Sequence, residues 1–544
     1  MADTGENRPV TTDGTPPVTP EVATGLPSRR TLLSVLAGLM LGLFLGALDT
    51  MIMASALRTV ADELQGLTLQ AWVTTAYLVT MTVSAPLYGK LSDTYGRKPV
   101  YLTALGLFAA GSLLCGLAQS IYQLAGARGL QGLGAGGLTA VALAVVADLA
   151  PPEKRARYQA NLGAVFAVAS VAGPVLGGLF AGADQILGIA GWRWIFLINL
   201  PIGLAAGLLI ARFLHLPPSG VRHRVDYRGA ALLVVSLVPL LLVAENGRDW
   251  GWGSPLCLAL IAVGLLGLVL FVQVERRVGD GALLPGRLFG KLSFSMVNVI
   301  NFLGGVGVFA GLALLPLYLQ IVQGLSPTAA GLLLLPQSLA TTLGSRNAGP
   351  LMERFGYRPV LASGMGLMTL FFALLSLVGV ETPIWQVAPL VIVLGYGLGI
   401  FFQVILIAMQ DSVPRSDLGL ASGLYSFSRQ VGGIAGTAVF VSLVFALATD
   451  RVGAHYQAAK EGALRSVTGD PGVLADPANA DVVRQLETTG SVNFNDTSFL
   501  DRIDGRLAEP VLASLSSSLS TAFLMVSGLL AVSVVLALRL RSRD

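Results

Sequence analysis

Residues 89–100 read GKLSDTYGRKPV, and residues 349–360 read GPLMERFGYRPV. The two stretches align position by position. Gly89 matches Gly349, Leu91 matches Leu351, Asp93 matches Glu353, and Tyr95 matches Phe355. Gly96 matches Gly356, Lys98 matches Arg358, and Pro99-Val100 matches Pro359-Val360. Each is a tight, charged turn between two long apolar runs. Two copies of one turn, far apart in one chain, imply a duplicated membrane unit of the kind from which many secondary transporters are built.

The composition agrees. The 544 residues are 54% hydrophobic and 12% charged, where a soluble chain carries about 25% charged residues. The 65 glycines suit close helix packing in lipid. The net charge of +4 does not indicate nucleic acid, because the basic residues punctuate hydrophobic runs instead of gathering on one polar segment. Cys115 and Cys257 both lie within apolar runs and read as packed thiols. No His, Cys or carboxylate cluster has metal-ligand spacing. No nucleophile–base pair and no GxxxxGK phosphate loop is present, so the chain reads as a non-enzyme without cofactor, driven by an ion gradient.

About 20 apolar residues cross a bilayer core as a helix. That rule gives about fourteen spans, near 31–56, 70–88, 99–118, 123–149, 159–181, 193–213, 228–246, 255–274, 292–319, 328–348, 359–379, 385–409, 420–447 and 516–538. The basic residues alternate with them. Arg29, Arg30, Lys90, Arg97, Lys98, Lys154, Arg155, Arg157, Arg212, Arg276, Arg277, Arg287, Lys291, Arg354, Arg358, Arg415 and Arg539 fall on one side. Only Arg58, Arg193 and Arg248 fall in short loops on the other. The positive-inside rule makes the first side cytoplasmic, with both termini inside a plasma membrane.

The expected organisation is six spans, two extra spans and six more. Residues 1–28 read as a disordered cytoplasmic tail and 29–213 as the N-terminal six-helix bundle. Residues 214–291 form a linker with two added helices, 292–540 the C-terminal bundle, and 541–544 a short tail. Within the second bundle, residues 450–515 read as a long polar external loop with short helical pieces. Asn495-Asp496-Thr497 fits a glycosylation sequon there, a three-residue match only.

These residues resemble the major facilitator superfamily and, within it, the fourteen-span drug:proton antiporters of the QacA and EmrB type. Residues 89–100 are similar to its turn between the second and third spans. Leu48-Asp49 with residues 50–57 resembles the first-span motif, although Arg58 stands where that motif usually closes with Pro. Arg128 with Gln131 and Gly132 resembles the fourth-span arginine motif. Gly163 and Gly173-Pro174-Val175-Leu176-Gly177-Gly178 resemble the fifth-span antiporter motif. Trp192-Arg193-Trp194-Ile195-Phe196 with Asn199 and Pro201 resembles the approach to the sixth span. The resemblance implies an all-α polytopic fold of two six-helix halves plus two central helices. It also implies proton-coupled export of lipophilic or cationic small molecules by alternating access.

Asp49 lies deep in the first apolar run, where a carboxylate costs about 2.5–3.5 kcal/mol on insertion scales. A carboxyl that alternates between desolvated and cation-paired surroundings can take up and release a proton. The other reading is a packing Asp bonded to backbone or wetted near the surface. Arg128 is the expected counter-charge, since an unpaired guanidinium there is costly, and the resemblance gives it a part in proton transfer. Its alternative is a structural anchor.

Gly89, Asp93, Gly96 and Arg97 form the expected conformational gate. Asp93 can cap a helix start, and Arg97 can bridge Asp93 to Asp148 at the end of the fourth span. Such contacts stabilise one of two packed states. Gly173-Pro174 gives the fifth span a bend and a smooth face, with Gly432, Gly433 and Gly436 as its counterpart in the thirteenth.

Trp72, Tyr77, Asn298, Asn301, Phe302, Tyr396, Gln403 and Phe427 are candidate substrate contacts, because aromatic faces suit lipophilic cations and amides orient them. Glu245 is the other candidate membrane carboxylate. Arg346 and Arg429 are open, and Arg429 could meet an anionic group or anchor a helix. The chain is read as a monomer whose partners are lipid, protons and an amphipathic small molecule. Alternative cargoes are an endogenous lipid, siderophore or secondary metabolite. A proton symporter and a non-transporting scaffold are the further alternatives.

Overall fold

The structure, a computed structural model, describes residues 29–65, 69–150, 152–216, 226–279, 282–460, 476–489, 492, 500 and 502–540. The chain is almost wholly helical. The long helices are α1 (Arg29–Glu63), α2 (Gln70–Tyr95), α3 (Arg97–Leu117), α4 (Ile121–Leu149), α5 (Pro152–Ala181), α6 (Asn199–Phe213), α7 (Tyr227–Trp250) and α8 (Pro255–Val278). They continue with α9 (Leu292–Leu317), α10 (Pro327–Phe355), α11 (Tyr357–Leu375), α12 (Ile384–Asp411), α13 (Leu418–Lys460) and α14 (Gly505–Arg539). A two-residue hairpin, Gln185–Ile186 against Ile189–Ala190, joins α5 to the short turn ahead of α6.

Local chemistry starts several of these helices. Ser120 caps α4 by accepting from the Gln123 N–H. Ser254-Pro255 and Ser326-Pro327 begin α8 and α10 with a capping hydroxyl followed by Pro at the first turn. The two copies of the opening turn have one backbone shape. Gly96 between α2 and α3 has φ +93° and ψ 153°, and Gly356 between α10 and α11 has φ +79° and ψ 166°. That region is open essentially to glycine alone, which is why both copies keep it.

Helix pairing repeats as well. In the first half α1 packs on α5 and α6, α4 on α2 and α3, and α3 on α6. In the second, α9 packs on α13 and α14, α12 on α10 and α11, and α11 on α14. The helices α7 and α8 pack on each other, and α7 also touches α2 and α13. This is an all-α membrane fold of two related six-helix halves with two additional helices beside the junction. The end that carries residues 89–100 is called the basic end below.

Eleven described helices are long and apolar enough to cross a membrane by length and composition. The helices α2, α7 and α10 fall outside that criterion, α7 with a shorter apolar stretch at Arg228–Ala244. Polar residues explain α2 and α10. Thr75, Thr82 and Ser84 of α2 are buried, as is Ser345 of α10, and each of these two helices meets the opposite half. The α2 helix lies on α13, and α10 lies on α5.

The polar connection expected over 450–515 is shorter than that range. The α13 helix runs on to Lys460, with Val452 and Tyr456 buried, and α14 already begins at Gly505. Arg451 ties the two extensions together by donating to the Ser517 carbonyl at 2.8 Å and to Thr521 Oγ1 at 2.9 Å. A helix at Pro477–Thr488 covers them and is held by a Lys460–Glu487 pair of 2.6 Å. This helix lies where a short helical piece is expected, and it buries Val482, Val483 and Leu486. The expected tails 1–28 and 541–544, the sequon at 495–497 and the Glu245 side chain lie outside the described residues.

Candidate functional site

Asp49 is 0% exposed and Arg128 is 1% exposed. The structure brings them together directly: Arg128 Nη1 donates to Asp49 Oδ2. Gln131, one helical turn beyond Arg128, closes the arrangement. Its Nε2 donates to Asp49 Oδ1 at 2.8 Å, and its Oε1 accepts from Arg128 Nη1 at 2.7 Å. Asn199 at the start of α6 donates from Nδ2 to Asp49 Oδ1 at 3.2 Å. Ser112 of α3 accepts from Gln131 at 2.7 Å and from Asn199 at 3.2 Å. Tyr77 of α2 lies under the guanidinium, 4.0 Å from ring centroid to Cζ. Five helices of the first half thus converge on one carboxylate.

Their chemistry is that of a closed ion pair, in which Arg128 Nε, Asn199 Oδ1 and Tyr77 Oη are buried without a hydrogen-bond partner among the described residues. Asp49 accepts from three side-chain donors, and an aromatic face stabilises the cation. Sequence reasoning placed Asp49 and Arg128 here. It placed Tyr77 among substrate contacts, whereas the ring belongs to this network. Gln131 and Asn199 are visible in the sequence only as members of motifs, and Ser112 carries no signal at all.

A second cluster joins the halves at the basic end. Asp93, beyond the apolar part of α2, accepts from the backbone N–H groups of Gly419 at 2.9 Å and Leu420 at 2.8 Å. It therefore caps α13 of the opposite half. A carboxylate at a helix N-terminus is a favourable arrangement. Arg97 pairs with Asp93 at 2.6 Å and with Asp148 at 2.7 Å, as its sequence position suggests. It also donates to Ser92 Oγ at 2.6 Å, and Ser92 donates to the Gly89 carbonyl at 2.8 Å. Gly89 touches backbone: a Cβ there would collide with the Gly419 carbonyl.

Further bonds cross between halves at this end. Arg155 pairs with Asp411 at 3.0 Å. Gln159 donates to Gln410 at 2.9 Å and accepts from Gln403 at 3.2 Å. Gln410 donates to the Leu143 carbonyl at 3.4 Å. Arg287, in the segment after α8, reaches Asp417 at 2.9 Å, which ties the inserted pair to the start of α13. Sequence reading missed Gln159 and Gln410 and named Gln403 only as a substrate contact, because a lone Gln in an apolar run has no partner until the halves meet.

Gly173 lies against Met51 and Ile52 of α1, and Gly432 lies against the Phe302 backbone of α9. The fifth and thirteenth helices therefore use glycine for the same close contact in each half. Pro174 is exposed within a continuous α5.

The other expected substrate contacts occupy separate neighbourhoods. Trp72 stacks on Trp250 of α7 with centroids 5.9 Å apart. Asn298 donates to the Phe294 carbonyl of its own helix at 3.0 Å. Asn301 pins α9 to α13 through the Tyr425 carbonyl at 2.8 Å and Ser428 Oγ at 2.6 Å. Phe302 sits at the same α9–α13 contact. Tyr396 Oη accepts from Asn347 at 3.1 Å. Gln403 belongs to the cross-half amides, and Phe427 packs among apolar residues of α2 and α7. Arg346 is exposed. A cavity of about 710 Å³ opens at the basic end among Lys291, Met296, Tyr357, Asp411 and Arg539, in the half opposite Asp49.

Comparison with known proteins follows the same lines. Residues 39–437 match the family described as Major Facilitator Superfamily. The chain is 34% identical over 413 residues to the multidrug transporter protein MdtP of Bacillus subtilis, covering 76% of this chain and 75% of that one. It is 40% identical over 303 residues to a tetracycline resistance determinant of Streptomyces rimosus, covering 55% of this chain and 86% of the relative. Among solved structures, the human organic anion transporter MFSD10 shares the fold. Its TM-score is 0.54 at 18% identity, covering 93% of this chain and 99% of the other.

Proposed function

The chain belongs to the major facilitator superfamily, and from that premise we propose that it is a proton-coupled exporter of lipophilic small molecules working by alternating access. The observation that carries the proposal is the wholly buried Asp49–Arg128 pair, bound by Gln131 and Asn199. A carboxylate sealed in this way has one use that packing alone does not explain. It can hold its charge in one conformation and accept a proton in another, when Arg128 moves away. The multidrug transporter and tetracycline resistance relatives support drug-like compounds as the cargo, and resistance fits outward transport.

On this reading the basic end faces the cytoplasm, with both ends of the chain inside, and the cluster around Asp93 is the inner gate. The gate is shut here. It consists of a helix cap, two arginine pairs and a run of amides, each of which must separate for cargo to enter from inside. Such a set of discrete contacts gives two packed states instead of a continuum. The function is tested with purified protein in proteoliposomes under an imposed pH gradient, following an amphipathic fluorescent compound. Gradient-dependent accumulation is expected. Equal flux with and without the gradient would remove the proton, and no flux at all would remove the transport reading.

Asp93 adds a pH dependence to the gate. Burial raises its carboxyl from the usual range to about 6, against the opposing pull of Arg97 and the two backbone donors. In the open gate the side chain meets water and returns to an ordinary value. A group whose pKa is higher in the closed form favours that form most fully below the ordinary Asp value. The contribution is lost as pH rises through about 6. Spin-label distances across the gate are therefore expected to lengthen between about pH 4 and pH 7, and Asp93→Asn should flatten the curve. A wild-type distance that ignores pH over that interval would dismiss this role.

A further inference from the structure

We propose that Arg429 anchors a negatively charged group of the transported molecule, so that amphipathic carboxylates and zwitterions belong to the cargo. The proposal rests on the exporter reading and names the chemistry of what is exported.

Arg429 stands eleven residues past the start of α13 at Leu418, about 16 Å along a helix, which is near the middle of a core about 30 Å thick. Its guanidinium is flanked by two rings, with Phe402 of α12 and Tyr425 of α13 each 5.1 Å from Cζ. It forms no ion pair or hydrogen bond with any described residue, and its Nε is buried without a partner. The side chain nevertheless keeps partial exposure. Arg128 and Arg155 also have an unpartnered Nε, but they and Arg97 each hold a carboxylate.

The surroundings are rigid. Asn301 of α9 binds the Tyr425 carbonyl and Ser428, and Gly305 packs on the Arg429 backbone. Phe402 precedes Gln403, which reaches Gln159 across the junction of the halves. The arginine therefore sits beside the surface where the halves meet, just beyond the shut gate.

No described carboxylate of the second half lies beside it. Among its described residues, Glu353, Asp411 and Asp417 lie at the basic end, and Glu381, Asp450, Asp476, Asp481, Glu487, Asp504 and Glu509 lie at or beyond the opposite one. A guanidinium at mid-membrane depth requires a counter-charge or water. Two aromatic faces attract the cation but leave its planar fork of N–H donors free, and that fork matches a carboxylate in two parallel bonds. The same rings offer apolar surface to the body of the ligand. The occupant that fits is an oxyanion carried on a lipophilic frame.

The test uses the full-length protein in detergent and in proteoliposomes, with radiolabelled cholate as the anionic probe and ethidium as the cationic one. Equilibrium binding of cholate is expected for the wild type. Arg429→Gln should weaken it at least about tenfold, the scale of one charged hydrogen bond, and Arg429→Lys should recover part of the loss. A circular dichroism spectrum and a single symmetric elution peak matching the wild type show that Arg429→Gln is folded. Cholate binding that is equal in wild type and Arg429→Gln overturns the proposal, as does a wild type that binds ethidium and not cholate. Because binding is read without a gradient, failure of pH-driven flux would count against the exporter reading alone.

Discussion

Asp49→Asn is expected to abolish pH-gradient-driven accumulation of substrate, by about two orders of magnitude or more, the scale of removing a positioned proton-transfer group. Exchange of labelled for unlabelled substrate at equal pH should survive, because it needs the conformational cycle and no net proton movement. The amide keeps the shape of the side chain and can still accept from Arg128. It cannot carry the charge that the arginine faces. Removing one partner of a buried ion pair typically costs about 3–5 kcal/mol, since the other charge is left uncompensated. The single variant should therefore melt lower than the parent. Asp49→Asn combined with Arg128→Gln should recover much of that stability while remaining uncoupled, because the buried charge is gone. Accumulation by Asp49→Asn at the parental level would end the proton-carrier account. A double variant no more stable than the single one would show that the pair contributes little to the fold.

The contrast between this site and the rest shows what a sequence can disclose. Asp49 and Arg128 were legible because a charge inside an apolar run is costly and demands an explanation wherever it occurs. The turn at 89–100 was legible because it occurs twice and because its glycine has a backbone that few other residues tolerate. Asp148 was reachable from Arg97 for the same reason, being a charge at the end of a neighbouring span. Ser112, Gln159 and Gln410 were not. Each is a small or neutral polar residue in an apolar helix, cheap enough to need no partner until the fold supplies one. Asp93 was read as a helix cap, yet the helix it caps is α13, whose Gly419 N–H lies 326 residues along the chain. Nothing local could name that partner. The substrate list suffered most. Aromatic and amide residues in membrane helices serve many ends, and Tyr77, Trp72 and Asn301 proved to be engaged with an arginine, a second tryptophan and a neighbouring helix.

Gly89→Val should hold the basic end open and stop transport. In the shut state α2 meets α13 at backbone contact, with the Gly419 carbonyl occupying the space that a Cβ at position 89 would need. The colliding atom is main chain, fixed by the cap that Asp93 places on α13, so it cannot rotate away as a side-chain end could. Overpacking of this kind costs about 1–3 kcal/mol. A cost confined to one of two states shifts their ratio about tenfold for every 1.4 kcal/mol. Spin labels at Tyr95→Cys and Arg415→Cys would report it. Tyr95 is exposed on α2, Arg415 is exposed just ahead of α13, and the native Cys115 and Cys257 are both buried. The distance between the labels is expected to lengthen in Gly89→Val. It should stay at the parental value in Gly106→Val, where the glycine has no atom within 4 Å of an added Cβ. Parental distances and parental efflux in Gly89→Val would mean that the gate closes elsewhere.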